Sequence, residues 1–219
     1  MGSGIVLLYM SSEAIKGYLA NHPVDWQSRD LAEKGNILTP TPAIEVFFRL
    51  LKETDSFFDQ EDYWQFAWSE WLCLHDTISD EVRQGLRARL YRNFYPSAID
   101  SIHVWALLAE TGYFDKCVLD TAKDAVGKTD LIAWPALARP PIKIGLQIET
   151  TYALEWQKHK RTYRGAADPD MIDVYLSMKK PKRPGNKRWF DLGDLSLVFD
   201  AIQVTPPKTE PVYVTERLL

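Results

Sequence analysis

Three oxygen-bearing residues stand where a strand pattern would gather them. Asp130 opens the stretch Leu131-Ile132-Ala133, and Gln147 and Glu149 lie two apart in Ile142-Lys143-Ile144-Gly145-Leu146-Gln147-Ile148-Glu149-Thr150. Residues i and i+2 of a strand point to one face. Ile142, Ile144, Leu146 and Ile148 therefore take one face, and Lys143, Gly145, Gln147 and Glu149 the other. Oxygens converging on such a face can hold a divalent cation. A second chemistry-bearing feature follows in the chain. Between Lys158 and Arg188 there are ten Lys and Arg against three Asp: Lys158, Lys160, Arg161 and Arg164, then Lys179, Lys180, Lys182, Arg183, Lys187 and Arg188. Such a density of cations suits a phosphate backbone. Each feature also has a plainer account. Asp130 can be a strand-start residue bonded to backbone, Gln147 and Glu149 the solvated face of a half-buried strand, and the basic run an exposed helix face and loop.

Other chemistries find no support. His22, His75, His103 and His159 are scattered, with no metal or triad spacing. Gly127-Lys128-Thr129 lacks the upstream glycine of a phosphate-binding loop, and there is no G-x-S-x-G. Cys73 and Cys117 belong to no CxxC or Cys/His cluster, so a structural zinc site is not expected. Both cysteines stand in apolar sequence and are expected to be buried free thiols, in keeping with a reducing cytoplasm. Trp156 and Trp189 flank the basic residues and can stack on bases, although core packing is the commoner use of such residues.

The elements that would position these residues fall into two halves. With 219 residues and 46% hydrophobic composition, a packed core is expected. No apolar run reaches the roughly 20 residues of a membrane span. The short apolar start, Ile5 to Met10, lacks a basic flank and reads as a first strand or packed arm rather than a signal peptide. Residues 1–95 read as mainly helical. Thr41 and Pro42 start a helix through Leu51, another covers Glu61 to His75, and a third runs from Ser79 to Phe94. Trp64, Trp68 and Trp71 share a helical face, a core or interface stripe. From Glu53 to Glu81 there are nine acidic residues and no Lys or Arg, so a polyanion is repelled there and attracted to the later basic run.

Residues 96–205 alternate in type. Ser97 is expected to cap a helix ended by Gly112. Phe114 to Thr121, Lys128 to Trp134 and Ile142 to Thr150 read as strands, and Tyr152 to Arg164 as a charged helix. Asp168-Pro169-Asp170 breaks the chain, and Trp189 to Thr205 is strand-like or a short helix. Residues 206–219 form an extended tail.

This αβββαβ order, with Gly127-x-x-Asp130 before an apolar strand and Gln147-x-Glu149 on the next, resembles the core of the PD-(D/E)xK nuclease superfamily (restriction-endonuclease-like). The resemblance covers about half the chain. It implies a mixed α/β fold and a Mg²⁺- or Mn²⁺-dependent endonuclease hydrolysing DNA phosphodiester bonds. Asp130 and Glu149 would be the metal ligands, Gln147 would complete or support the site, and Lys158 or Lys160 would serve as a lysine displaced to the following helix. Asp100 or Glu110 would stand in for the family's helical acid. The pattern departs from the family at two positions: Gln147 replaces the usual acid, and Glu149 stands where lysine is expected. The alternative is a catalytically inactive member acting as a nucleic-acid- or protein-binding module, with the acidic, Trp-rich helices as a surface for a protein partner or a second copy.

Overall fold

The computed structural model describes residues 11–54, 56–118, 130–136, 143–149, 171–177 and 189–202. It is a mixed α/β structure with a four-stranded sheet. The chain divides into two compact units, Glu13–Ile99, and Asp100 onward together with Ser12.

The first unit is helical: α1 (Ser12–Asn21), α2 (Arg29–Lys34), α3 (Ala43–Thr54), α4 (Gln60–Glu70), a 3₁₀ turn (Leu72–Leu74) and α5 (Asp80–Arg89). Helix α3 buries Ala43, Val46, Phe47, Leu50 and Leu51, the i, i+3, i+4 spacing of an amphipathic helix. Asp59 caps α4 by accepting from the Asp62 N–H at 2.9 Å, and Ser79 caps α5 through the Val82 N–H at 3.3 Å. The first intrahelical acceptor of α3 is the Pro42 carbonyl. Thr41 instead turns its own carbonyl to the Trp71 indole N–H at 3.0 Å, which corrects the expected cap by one residue.

Phe47 sits at the centre of this unit, its ring 4.7 Å from Phe58, 5.2 Å from Tyr63 and 5.9 Å from Tyr95. The buried phenols are satisfied: Tyr63 donates to the Ala43 carbonyl at 2.7 Å and Tyr95 to that of Phe58 at 2.8 Å. Trp64 and Trp71 are buried, and Trp68 is half-buried, stacked between Trp64 and His75. The indole stripe is thus largely core.

The helix from Ser79 does not stop at Phe94. It passes through a π turn, Leu90–Phe94, directly into α6 (Tyr95–Glu110). Pro96 gives the reason. It has no N–H, and its ring conflicts with the carbonyl one turn earlier in an α-helix. A widened turn relieves that conflict, and the Tyr95 N–H bonds the Leu90 carbonyl instead of that of Tyr91. The freed Tyr91 carbonyl is taken by the buried Gln60 side-chain amide at 2.9 Å. Ser97 therefore lies inside a helix rather than at its cap. Gly112, with φ of 69°, ends α6 as expected.

In the second unit, α6 is apolar on most sides (Ile102, Val104, Trp105, Ala106 and Leu108 are buried). It leads into β1 (Phe114–Val118), β2 (Leu131–Pro135), β3 (Lys143–Glu149) and β4 (Met171–Ser177), then α7 (Ser196–Ala201). The sheet order is β1-β2-β3-β4; β1/β2 and β2/β3 are antiparallel and β3/β4 parallel. Leu131, Ala133, Ile144, Leu146, Val174 and Leu176 are buried, and the register places them on one face: Leu131 pairs with Leu146 and Leu146 with Val174. Strand β4 was not anticipated, and the strand-like reading of Trp189 to Thr205 resolves into α7, which packs Val198 and Phe199 inward beside β4. The expected arm at residues 1–10, the helix Tyr152 to Arg164 with Trp156, the loop from Lys179 to Arg188 and the tail lie outside the described residues.

The cysteine reading needs correction. Both thiols are free, but Cys73 is exposed on the 3₁₀ turn and Cys117 only half-buried. Leu72 is exposed beside Cys73 and Leu74 is half-buried, because so short a 3₁₀ turn has no buried face to offer all three residues. No described helix is long and apolar enough to cross a membrane.

Candidate metal centre

Asp130 precedes β2 and is half-buried; its backbone N–H donates to the Leu146 carbonyl at 2.9 Å. That bond pins the residue to the β2/β3 seam, beside the chain segment that carries Gln147 and Glu149. The register on the other side of β3 sets Gln147 level with Tyr175 and Glu149 level with Ser177, with Asp173 two residues back beside Gly145. By strand period, residues 145, 147 and 149 share one face with 173, 175 and 177. Asp173, Tyr175 and Ser177 were missed by sequence reasoning. Their signal was the alternation Ile172, Val174, Leu176 against Asp173, Tyr175, Ser177.

Three of the expected residues thus come from adjoining strands at one end of the β2/β3 pair. The two helical acids stand differently. Glu110 accepts from the Ser12 N–H at 2.6 Å and the Ser12 hydroxyl at 2.7 Å, so it is engaged at the first residue of α1. Asp100 is buried within α6. His103 is fully buried, its ring 4.7 Å from that of Trp189, which gives Trp189 a packing role. Lys158, Lys160, Arg161, Arg164 and the six basic residues of the Lys179 to Arg188 loop lie outside the described residues.

No family model, curated protein or solved structure matches the chain. The site therefore rests on its own chemistry. Asp130 and Glu149 are carboxylates and Gln147 carries an amide oxygen, the hard donors that suit Mg²⁺ or Mn²⁺ rather than zinc. Among the described residues there is no group of three His, Cys, Asp or Glu able to hold a metal ion. A site built here would use the glutamine oxygen, water or substrate to fill its remaining positions.

The rim of the same sheet carries a different pair. Lys116 of β1 lies opposite Trp134 of β2, its Nζ 5.2 Å from the indole centroid. On the neighbouring helix, Trp105 donates its indole N–H to the Cys117 carbonyl at 3.0 Å. Burial pushes the Cys117 thiol up to about 12, so it is no nucleophile at neutral pH.

Proposed function

We propose that this protein is a metal-dependent, PD-(D/E)xK-type nuclease-like protein acting on DNA, built on a restriction-endonuclease-like core. The observation that carries the reading is the bond from the Asp130 N–H to the Leu146 carbonyl, which brings the acid before β2 against the Gln147-x-Glu149 segment of β3. The sheet supports it further. An antiparallel β1-β2-β3 meander followed by a parallel β4 is compatible with an αβββαβ core, in which a crossover separates the third and fourth strands.

In this reading Asp130 and Glu149 hold the cation and Gln147 offers its amide oxygen beside them. A bound Mg²⁺ or Mn²⁺ would supply charge neutralisation at the scissile phosphate and a more acidic water. The chain's own contribution is positioning. Strand pairing fixes the backbone positions of Asp130 and Glu149 relative to each other, the basic residues from Lys158 to Arg188 would hold the phosphodiester backbone, and Lys158 or Lys160 would orient the attacking water. Removing a direct ligand should cost more than the 10- to 100-fold typical of outer-shell partners. Asp130→Ala should therefore lower metal-dependent cleavage by more than about a hundredfold with an unchanged circular dichroism spectrum. Retained cleavage would remove Asp130 from the site.

A second reading is favoured by one specific feature, the replacement of the usual acid by Gln147 and of the usual lysine by Glu149. It makes the protein a nuclease-fold binding module without catalysis. Calorimetric Mn²⁺ uptake that depends on Asp130 and Glu149 argues against this reading, and its absence argues for it.

A further inference from the structure

We infer that Lys116 and Trp134 form a second contact point for DNA on the sheet, and that the DNA held there has an unpaired base. The inference rests on the DNA-directed reading above and narrows its substrate to single-stranded, flapped or branched DNA. Strand period places Trp134 on the same face of β2 as Ile132 and the β2-proximal residue Asp130. Four residues of strand separate Trp134 from Asp130, roughly 13 Å, about the span of two nucleotides of extended backbone. Trp134 is only half-buried, and its indole N–H has no hydrogen bond among the described residues, unlike those of Trp71 and Trp105. Lys116 is exposed and stands opposite it across the β1/β2 ladder, 5.2 Å from the ring.

An aromatic ring on a sheet face with a cation beside it has the two parts that hold a single strand: a platform for a base and a charge for the adjacent phosphate. A duplex keeps its bases stacked on each other and would use only the lysine. Trp134 at the sheet rim, rather than in the core, fits this use, and the lysine loses little when it exchanges the ring for a phosphate because the exposed cation–π contact is weak.

The test is binding of fluorescein-labelled single-stranded, flapped and duplex DNA in EDTA, across a salt series, by the full-length protein and by Trp134→Ala, Trp134→Phe and Lys116→Ala. The expected result is tighter binding of the single-stranded and flapped forms. Trp134→Ala should weaken these by roughly ten- to a hundredfold, leave duplex binding unchanged, and be largely rescued by Trp134→Phe. Lys116→Ala, at an exposed position, should reduce the slope of log Kd against log salt by about 0.7 on single strands. DNA binding by the wild type that none of the variants alters overturns the inference and leaves the proposed function standing. No DNA binding by the wild type overturns both.

Discussion

At the scale of single residues, the two thiols and one phenol make the account measurable. Cys73 is exposed, whereas Cys117 is half-buried with its thiol pushed up to about 12. At pH 8 only about one part in ten thousand of Cys117 is thiolate. Labelling with a thiol reagent should proceed in two phases, one equivalent rapidly at Cys73 and one far more slowly, and Cys73→Ser should remove the fast phase alone. Tyr91 is pushed up to about 12 by burial and by its hydrogen bond to Glu61, against the opposing Arg87. Glu61 in turn is held below the usual carboxylate range, chiefly by the Tyr91 hydroxyl. Because the folded pKa of Tyr91 is raised, its contribution to stability is fully present below pH 10 and is lost as pH rises towards 12. Urea denaturation should show wild-type stability falling across that window, and Tyr91→Phe should lessen the fall.

At the scale of elements, the π turn and a close helix contact are the points of greatest consequence. Gln60 satisfies the Tyr91 carbonyl that the π turn releases, and also accepts from the Asp25 N–H at 2.6 Å. Gln60→Leu leaves the buried Tyr91 carbonyl unpaired, whereas the N–H of the exposed Asp25 can turn to water, and should cost about 1–3 kcal/mol, the penalty of one orphaned buried group. Gly85 of α5 meets Gly35 after α2 so closely that a Cβ on Gly85 would lie 2.5 Å from the Gly35 nitrogen and 2.8 Å from the Leu31 carbonyl oxygen. Both obstacles are backbone, so Gly85→Ala must part the two segments, at about 1–3 kcal/mol, measurable as a lowered urea midpoint. These are also the elements that show where sequence reading stops. The apolar spacing of α3 and α4, the Ser79 cap and the alternation of β3 were all legible, because each is a local pattern with a local cause. The sequence places a helix end at Phe94 and a new cap at Ser97, with Pro96, a residue that normally interrupts a helix, between them. That the chain instead widens into a π turn depends on Gln60, thirty-one residues upstream in sequence, being present to donate its amide N–H to the Tyr91 carbonyl that the turn releases. Strand β4 alternates as clearly as β3, but it is framed by Asp168-Pro169-Asp170 and a basic run, and those neighbours masked its period.

At the scale of the whole molecule, charge separates along the chain. Residues 13–99 carry nine Lys and Arg against 14 Asp and Glu, and residues 100–219 carry 17 against 16. The net charge of −4 thus arises in the helical unit, and the basic run from Lys158 to Arg188, with three Asp of its own, is offset mostly by acids elsewhere in its half. If that run holds the DNA backbone, replacing Lys160, Arg161 and Arg164 by Ala should flatten the dependence of log Kd on log salt by about two to three on duplex DNA, with little effect on the melting temperature. The candidate site was legible in the sequence to the extent that strand period and chain order are: Asp130 stands just before β2, beside the β3 segment that carries Gln147 and Glu149. Glu110 is committed to Ser12 through a pairing 98 residues apart in sequence, which no local pattern announces.

The most direct test of the central claim is cleavage of labelled linear, supercoiled and single-stranded DNA, in Mg²⁺, Mn²⁺ or EDTA, by wild type and Glu149→Ala side by side. The account predicts cutting that requires the metal and is lost in the variant while DNA binding in EDTA persists. Cutting that survives Glu149→Ala, or an absence of both cutting and DNA binding in the wild type, would contradict it.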